Sequence, residues 1–81
     1  MAKFIIQHYE PYWRECRFEV EAADEAAARR LLLDEVRLRA LEEHAQEAGR
    51  ARVEDAGPVP WLDEEWTMKD EAGREVASRR T

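Results

Sequence analysis

From Asp24 to Ala48 the chain carries neither glycine nor proline and is filled with alanine, leucine, glutamate and arginine, the residues that enter a helix at least cost. Asp24 is a good N-cap, Glu25 suits the positive end of the helix dipole, and Gly49 supplies a stop. This one long helix dictates the rest, because its apolar side must be buried against whatever the flanking segments form. At about 100° per residue, Ala27, Ala28, Leu31, Leu38, Leu41, Ala45 and Ala48 share one face, which can cover one side of a sheet. Leu32, Leu33, Val36 and Ala40 fall on a second arc, which one small sheet struggles to bury as well. Either the helix bends or ends early so that this arc also packs inward, or a second copy covers it; an exposed apolar patch of this kind marks an interface. A homodimer through Leu32, Leu33, Val36 and Ala40 is the expectation taken forward.

The segments on either side read as strands. Lys3 to Tyr9 is β-rich, and Glu10-Pro11-Tyr12 breaks it. From Trp13 to Glu21 the alternation is clean, with Cys16, Phe18 and Val20 on one face and Glu15, Arg17, Glu19 and Glu21 on the other. Ala51 and Val53 mark a short third strand, and Gly57-Pro58-Val59-Pro60 must be a connection, since proline cannot donate to a central ladder. Glu65 to Lys69 alternates with Trp66 and Met68 inward, Asp70-Glu71-Ala72-Gly73 has the composition of a tight turn, and Arg74 to Ala77 closes a hairpin. The pattern predicts an α+β fold in ββαβββ order, a small antiparallel sheet with one long helix across one face. Its expected core is Phe4, Ile6, Cys16, Phe18, Val20, Leu31, Leu38, Leu41, Trp66 and Met68. With 81 residues there is room for one domain, placed at 1–78, with 79–81 as a frayed tail.

Composition narrows the function classes. No apolar run reaches the roughly 20 residues of a bilayer span, and Met1-Ala2-Lys3 leads straight into the first strand without a signal-peptide pattern. A cytoplasmic location is expected, in keeping with a single cysteine, Cys16, that has no partner for a disulfide. The net charge of −6 is concentrated: Glu54, Asp55, Asp63, Glu64, Glu65, Asp70, Glu71 and Glu75 are answered within residues 53–76 only by Lys69 and Arg74. Such a segment repels nucleic acid and is drawn to a basic surface, although acids in turns and edge strands also serve solubility alone.

Catalytic chemistry finds few candidates. Ser78 is the only serine and lies near the chain end; Cys16 sits on the apolar face of a strand, where a thiol is core filler; His8 shares the face of Phe4 and Ile6 and reads as a strand-end side chain with a local hydrogen bond. His44, between Glu43 and Glu47, lacks a second histidine or cysteine to complete a metal site, and reads as solvated helix surface. No glycine-rich phosphate loop exists. Arg30, Arg37 and His44 line one helix edge, but i, i+4 pairs of Glu25 with Arg29, Arg30 with Asp34 and Glu35 with Arg39 answer much of the helix's charge locally. The expectation is a protein that is not an enzyme, with no cofactor, no metal and no direct nucleic-acid or membrane partner.

Two aromatic clusters remain, Tyr9, Tyr12 and Trp13 around the first turn, and Trp61 to Trp66 interleaved with Asp63, Glu64 and Glu65. Strand register turns Trp66 inward, which leaves Trp61 as the interface candidate. The run from Phe18 to Ala28, Phe-Glu-Val-Glu-Ala-Ala-Asp-Glu-Ala-Ala-Ala, resembles a strand-to-helix junction common in very small proteins of phages and mobile elements. Continued through a long helix into a tryptophan-bearing hairpin, the layout is similar to that of small anti-CRISPR proteins. The resemblance implies an inhibitor that binds a type I CRISPR effector complex in a bacterial host and covers its basic DNA-binding surface, with no catalytic residues. Trp61, Asp63, Glu64, Glu65, Asp70 and Glu71 are the expected partner-binding residues. The alternative is a small structural or regulatory subunit of a phage or mobile-element assembly.

Overall fold

The computed structural model describes residues 1–10, 14–55 and 63–80. Its elements are β1 (Ala2–Tyr9), β2 (Arg14–Ala22), α1 (Glu25–Leu33), α2 (Glu35–Glu47), β3 (Arg52–Asp55), β4 (Glu65–Asp70) and β5 (Glu75–Arg80). All strand pairs are antiparallel, in the order β3-β2-β1-β4-β5, and both helices lie on one face. The α+β class and the antiparallel sheet are as the strand periodicities predict. The order is ββααβββ rather than ββαβββ, because the long helix is two helices.

Strand β1 occupies the centre of the sheet, and its inward residues set the core. Phe4 stands opposite Val20, Ile6 between Phe18 and Met68, and His8 between Cys16 and Trp66. With Leu31, Leu32, Leu38, Ala28, Ala45 and Val76 these residues form one buried cluster, against which Leu41 is only partly buried. Val76 joins because the β4–β5 ladder slips by one residue: Met68 faces Ala77 while Lys69 faces Glu75, which leaves Val76 as the extra residue of a bulge, turned inward.

The helix breaks at Asp34. Its backbone leaves the helical region at φ −98, ψ 86, and its N–H closes α1 on the Leu31 carbonyl at 3.0 Å. Its carboxylate accepts from the Arg37 N–H at 3.2 Å, so one residue is C-cap to α1 and N-cap to α2. A short acidic side chain that can bond nearby backbone donors competes with helix continuation in this way. Asp34 is thereby used as a cap and forms no pair with Arg30, whereas the Glu25–Arg29 and Glu35–Arg39 pairs are present. At its far end α2 closes in a Schellman motif, with Arg50 N–H on Ala45 O at 2.8 Å, Gly49 N–H on Gln46 O at 3.1 Å, and Gly49 at φ 71.

The break decides the fate of the second apolar arc. Leu32 turns into the core at 2% exposure, whereas Leu33 and Val36 stand at 74% and 83%. Leu32 is therefore removed from the expected self-association surface, since a bend at Asp34 buries it within the chain; Leu33, Val36 and Ala40 remain exposed. The expected tail is corrected as well. Arg79 and Arg80 belong to β5, and Arg79 reaches back to the Leu32 carbonyl at 3.4 Å and to Glu35 at 3.2 Å, which ties the strand end to the helix break. Thr81 lies outside the described residues. Among the described residues, no helix is long and apolar enough to cross a membrane.

If Asp34 redirects the helix as described, the two adjacent leucines differ sharply. Leu32→Ala is expected to lower unfolding free energy by about 2–5 kcal/mol through a core cavity, and Leu33→Ala by less than about 0.5 kcal/mol, as read from urea midpoints. Equal effects would contradict the break.

Candidate functional site: a buried histidine between two carboxylates

The inward period of β1 carries His8 to the same face as Phe4 and Ile6, and the sheet register places it in a cross-strand row with Val53, Cys16, Trp66 and Arg79. It stands near the end of β1, as expected, but its bonds are not local. Its side chain is 0% exposed, and its partners come from far along the sequence. Nδ1 lies 2.6 Å from Oε2 of Glu42 on α2, and Nε2 lies 2.9 Å from Oε2 of Glu64, just before β4. A neutral imidazole donates from only one nitrogen, whereas an ionised carboxylate only accepts. With both carboxylates ionised, the two contacts call for an imidazolium that donates to both. Burial by itself pushes the His8 pKa down, but the bonds to Glu42 and Glu64 outweigh it and hold the ring above its ordinary range.

The remaining contacts fix this ion in place. The Trp66 ring stacks on the His8 ring with centroids 3.4 Å apart and planes 6° from parallel. The Arg39 guanidinium sits 5.6 Å from the centre of the Trp66 ring and donates to both oxygens of Glu64, at 2.7 and 2.9 Å. Arg39 also holds Glu35 at 2.9 Å, and Glu35 in turn takes Arg79. The result is an alternating chain, Glu42, His8, Glu64, Arg39, Glu35 and Arg79, that ties β1, α2, the lead into β4, and β5. Its pKa shifts follow from these contacts. Burial raises Glu64, but His8 and Arg39 carry it below its usual value; Arg39 is raised by Glu35 and Glu64; Glu35 is lowered by Arg39 and Arg79.

Glu42 is the residue that sequence reasoning missed. It lies on the inward stripe of α2 with Leu38 and Ala45, four and seven residues apart, at 7% exposure. A charged side chain in phase with a core stripe needs a buried partner, and His8, in phase with Phe4 and Ile6, offered one on an inward strand face. Cys16, opposite His8, is core as expected: burial pushes its thiol pKa up, and the Gln46 amide donates to Sγ at 3.3 Å. His44 and Ser78 are exposed. Among the described residues, the set whose donor atoms converge enough to hold a metal ion is His8, Glu10 and Glu42, all within 4.8 Å of one another.

The expected partner-binding residues are divided rather than gathered. Asp63, Glu64 and Glu65 stand at the start of β4, while Asp70 and Glu71 stand at its end, roughly 20 Å away at about 3.3 Å per residue. Glu64 is committed to His8 and Arg39, and Glu65 to Arg80 at 3.2 Å. Asp70 organises the β4–β5 turn, where the backbone N–H groups of Arg74 and Ala72 and the Arg74 side chain hold its carboxyl below the usual range. Glu71 accepts from the Lys3 N–H at 3.3 Å, and Asp63 is exposed. Trp61, Tyr12 and Trp13 lie outside the described residues.

Topology adds acids that the linear segment did not contain. The pairs Tyr9 with Glu15, Tyr9 with Glu65, Glu15 with Glu54, and Arg14 with Asp55 bring the end of β1, the start of β2, the end of β3 and the start of β4 to one end of the sheet. Glu10, Glu15, Glu54, Asp55, Asp63 and Glu65 meet there. Arg14, Arg17, Arg52 and Arg80 partly answer them, through Glu10 at 3.0 Å, Glu15 at 2.9 Å, Glu54 at 2.8 Å and Glu65 at 3.2 Å. A separate open groove of about 530 Å³, floored by Val20, Leu31, Leu41 and Ala45 and rimmed by Arg37, His44 and Arg50, runs between the helices and the outer edge of β2. No family model, curated protein or solved structure matches the chain.

His8→Leu leaves Glu42 buried without its counter-ion, and is expected to cost about 3 kcal/mol in stability. The pH dependence has a definite sign. Because the folded pKa of His8 lies above the unfolded value, its contribution is complete below about pH 6.5 and is lost as pH rises through the folded pKa. Urea midpoints of wild type and His8→Leu should thus converge as pH rises. A gap that widens with pH contradicts the imidazolium.

Proposed function

We propose that the protein is a binding inhibitor of the anti-CRISPR type, which docks an acidic surface on the basic DNA-recognition surface of a type I CRISPR effector complex and blocks target DNA. The observation that carries this reading is the gathering of Glu10, Glu15, Glu54, Asp55, Asp63 and Glu65 at one end of the sheet. Set against Arg14, Arg17, Arg52 and Arg80, the six carboxylates leave this end net negative, and such a surface repels nucleic acid and accelerates encounter with a basic partner at low salt. The docking residues are revised accordingly. Glu64 is a half-buried support rather than a contact, and Asp70 and Glu71 stand at the opposite end of the sheet, outside the acidic footprint. Trp61 stays in the proposal as an apolar anchor, and catalysis has no part in it. In this reading the protein acts in the cytoplasm of a bacterial host, and Leu33, Val36 and Ala40 form the contact of a homodimer, which light scattering at micromolar concentration checks by mass.

The test is affinity for a purified type I effector complex at low and high salt, using wild type, a Glu54→Lys/Asp63→Lys double variant and Glu71→Lys. Wild type is expected to bind more weakly as salt rises, the double variant to lose at least roughly tenfold through repulsion, and Glu71→Lys to stay near wild type. Absence of binding, or binding indifferent to salt and to the double variant, overturns the reading. Recovery of virion or conjugation proteins in its place, in a pull-down from a host lysate, favours the structural-subunit alternative.

A further inference from the structure

We propose that His8, Glu10 and Glu42 form a zinc-binding site, with Glu64 as the group that orients the histidine. The three ligands come from two elements that the sheet and helix packing bring together. His8 is on β1, Glu10 immediately follows that strand, and Glu42 projects from the inward stripe of α2. One donor atom from each lies within 4.8 Å of the others. His8 is fully buried and Glu42 nearly so, while Glu10 is half-buried, so the cluster opens to solvent on the Glu10 side.

The second observation concerns the far side of the imidazole. Nε2 faces Glu64 Oε2 at 2.9 Å, and Glu64 is itself fixed by two bonds from Arg39. Metal-ligating histidines nearly always give their other ring N–H to such a carboxylate, which sets the tautomer and makes the ligating nitrogen more basic. In the metal-free protein Nδ1 also carries a proton and donates it to Glu42 at 2.6 Å; zinc would displace that proton and take the Nδ1 lone pair, leaving Nε2–H on Glu64. A proton serves only His8 and Glu42, whereas Glu10, held by Arg14 at 3.0 Å, also brings a carboxylate oxygen within 4.8 Å of their ligand atoms. A divalent ion answers all three, and two carboxylates with a neutral imidazole match its charge.

The donor set selects the metal. One imidazole nitrogen and two carboxylate oxygens suit zinc, with ligand distances of about 2.0–2.2 Å, whereas magnesium and calcium favour oxygen alone. Three protein ligands leave a fourth tetrahedral position for water, supplied from the Glu10 side. To bind at these distances Nδ1 and the Glu42 oxygen must part from their 2.6 Å hydrogen bond to about 3.3 Å, and Glu10 must close in on them. The Glu10 pair with Arg14 uses one oxygen, Oε2, in a partly exposed contact of little worth. Cys16, opposite His8 on β2, stays outside the ligand set because its thiol is engaged by Gln46 and burial keeps it protonated. The site shares Glu10 with the proposed docking surface, but it rests on His8 and its supports, and its test needs no partner.

The test uses the full chain, stripped with a chelator, reloaded with zinc chloride, desalted and assayed for metal, with calorimetry for affinity and circular dichroism to confirm folding. Wild type is expected to retain one zinc per chain and to melt at least about 5 °C higher with zinc than without. Glu10→Gln, which lies outside the core and should fold, is expected to bind zinc at least tenfold more weakly, and His44→Ala to bind as wild type does. Cobalt added in place of zinc should give the visible absorption of a tetrahedral site, absent in Glu10→Gln. Folded wild type that retains no zinc overturns the proposal. So does zinc that survives Glu10→Gln, or zinc that is lost with His44→Ala, which would place it on the helix surface beside Glu43 and Glu47.

Discussion

A positive charge on the central strand of the sheet is the constraint on which the rest of this structure depends. His8 is buried on the central strand, and an imidazolium there is tolerable only because Glu42 and Glu64 flank it and Trp66 covers its face. Each of those groups must in turn be delivered. α2 has to pass over β1 in the register that drops Glu42 onto Nδ1, and the chain must enter β4 so that Glu64 precedes Trp66 on the strand next to β1. Arg39 and Arg79 then complete the neutralisation through Glu35, which locks the end of β5 and the break at Asp34 to the same network. A network of this kind contributes little to net stability compared with an apolar core, but partial satisfaction is costly, so it discriminates against other registers and helix placements.

The two-helix arrangement follows from the same demand. A straight helix from Asp24 to Ala48 would present Leu31 and Leu38 to the sheet and leave Leu32 outside. With the turn at Asp34, α1 packs Ala28, Leu31 and Leu32 against the sheet, and α2 independently packs Leu38, Glu42 and Ala45. The exposed remainder, Leu33 and Val36, lies on either side of the break. The outward face of the sheet carries Glu15, Arg17, Glu19 and Glu21 with half-buried Ile5, Gln7 and Tyr9, a single-sided sheet with its polar side open to solvent.

Much of this was legible in the residues, and the parts that were not share a cause. Strand periodicities of two located β1, β2 and β4 and nearly all of the core, Leu41 being only partly buried, because burial on one face imprints directly on sequence. Asp24 and Gly49 marked the outer limits of the helical region. Asp34 looked like one more helical acid in an i, i+4 pair, and only its backbone geometry reveals the double cap. Glu42 was hidden in the same way: its meaning depends on His8, thirty-four residues away, and neither residue alone departs from a common pattern. The acidic segment misled because linear density was taken for surface density. Antiparallel pairing sent Asp70 and Glu71 to the far end of the sheet, and brought Glu10, Glu15 and Glu54 to the near one.

The account stands on the protonation of a single ring. A two-dimensional nitrogen–proton spectrum of the His8 imidazole, recorded at neutral pH on chelator-treated protein, reads it directly. Both ring nitrogens are expected to carry protons, with slowly exchanging signals from each, because both are buried in bonds to carboxylates. A spectrum in which one ring nitrogen is unprotonated while Glu42 and Glu64 remain ionised would contradict the bridging imidazolium, and with it the explanation offered for how the helices and sheet are held in register.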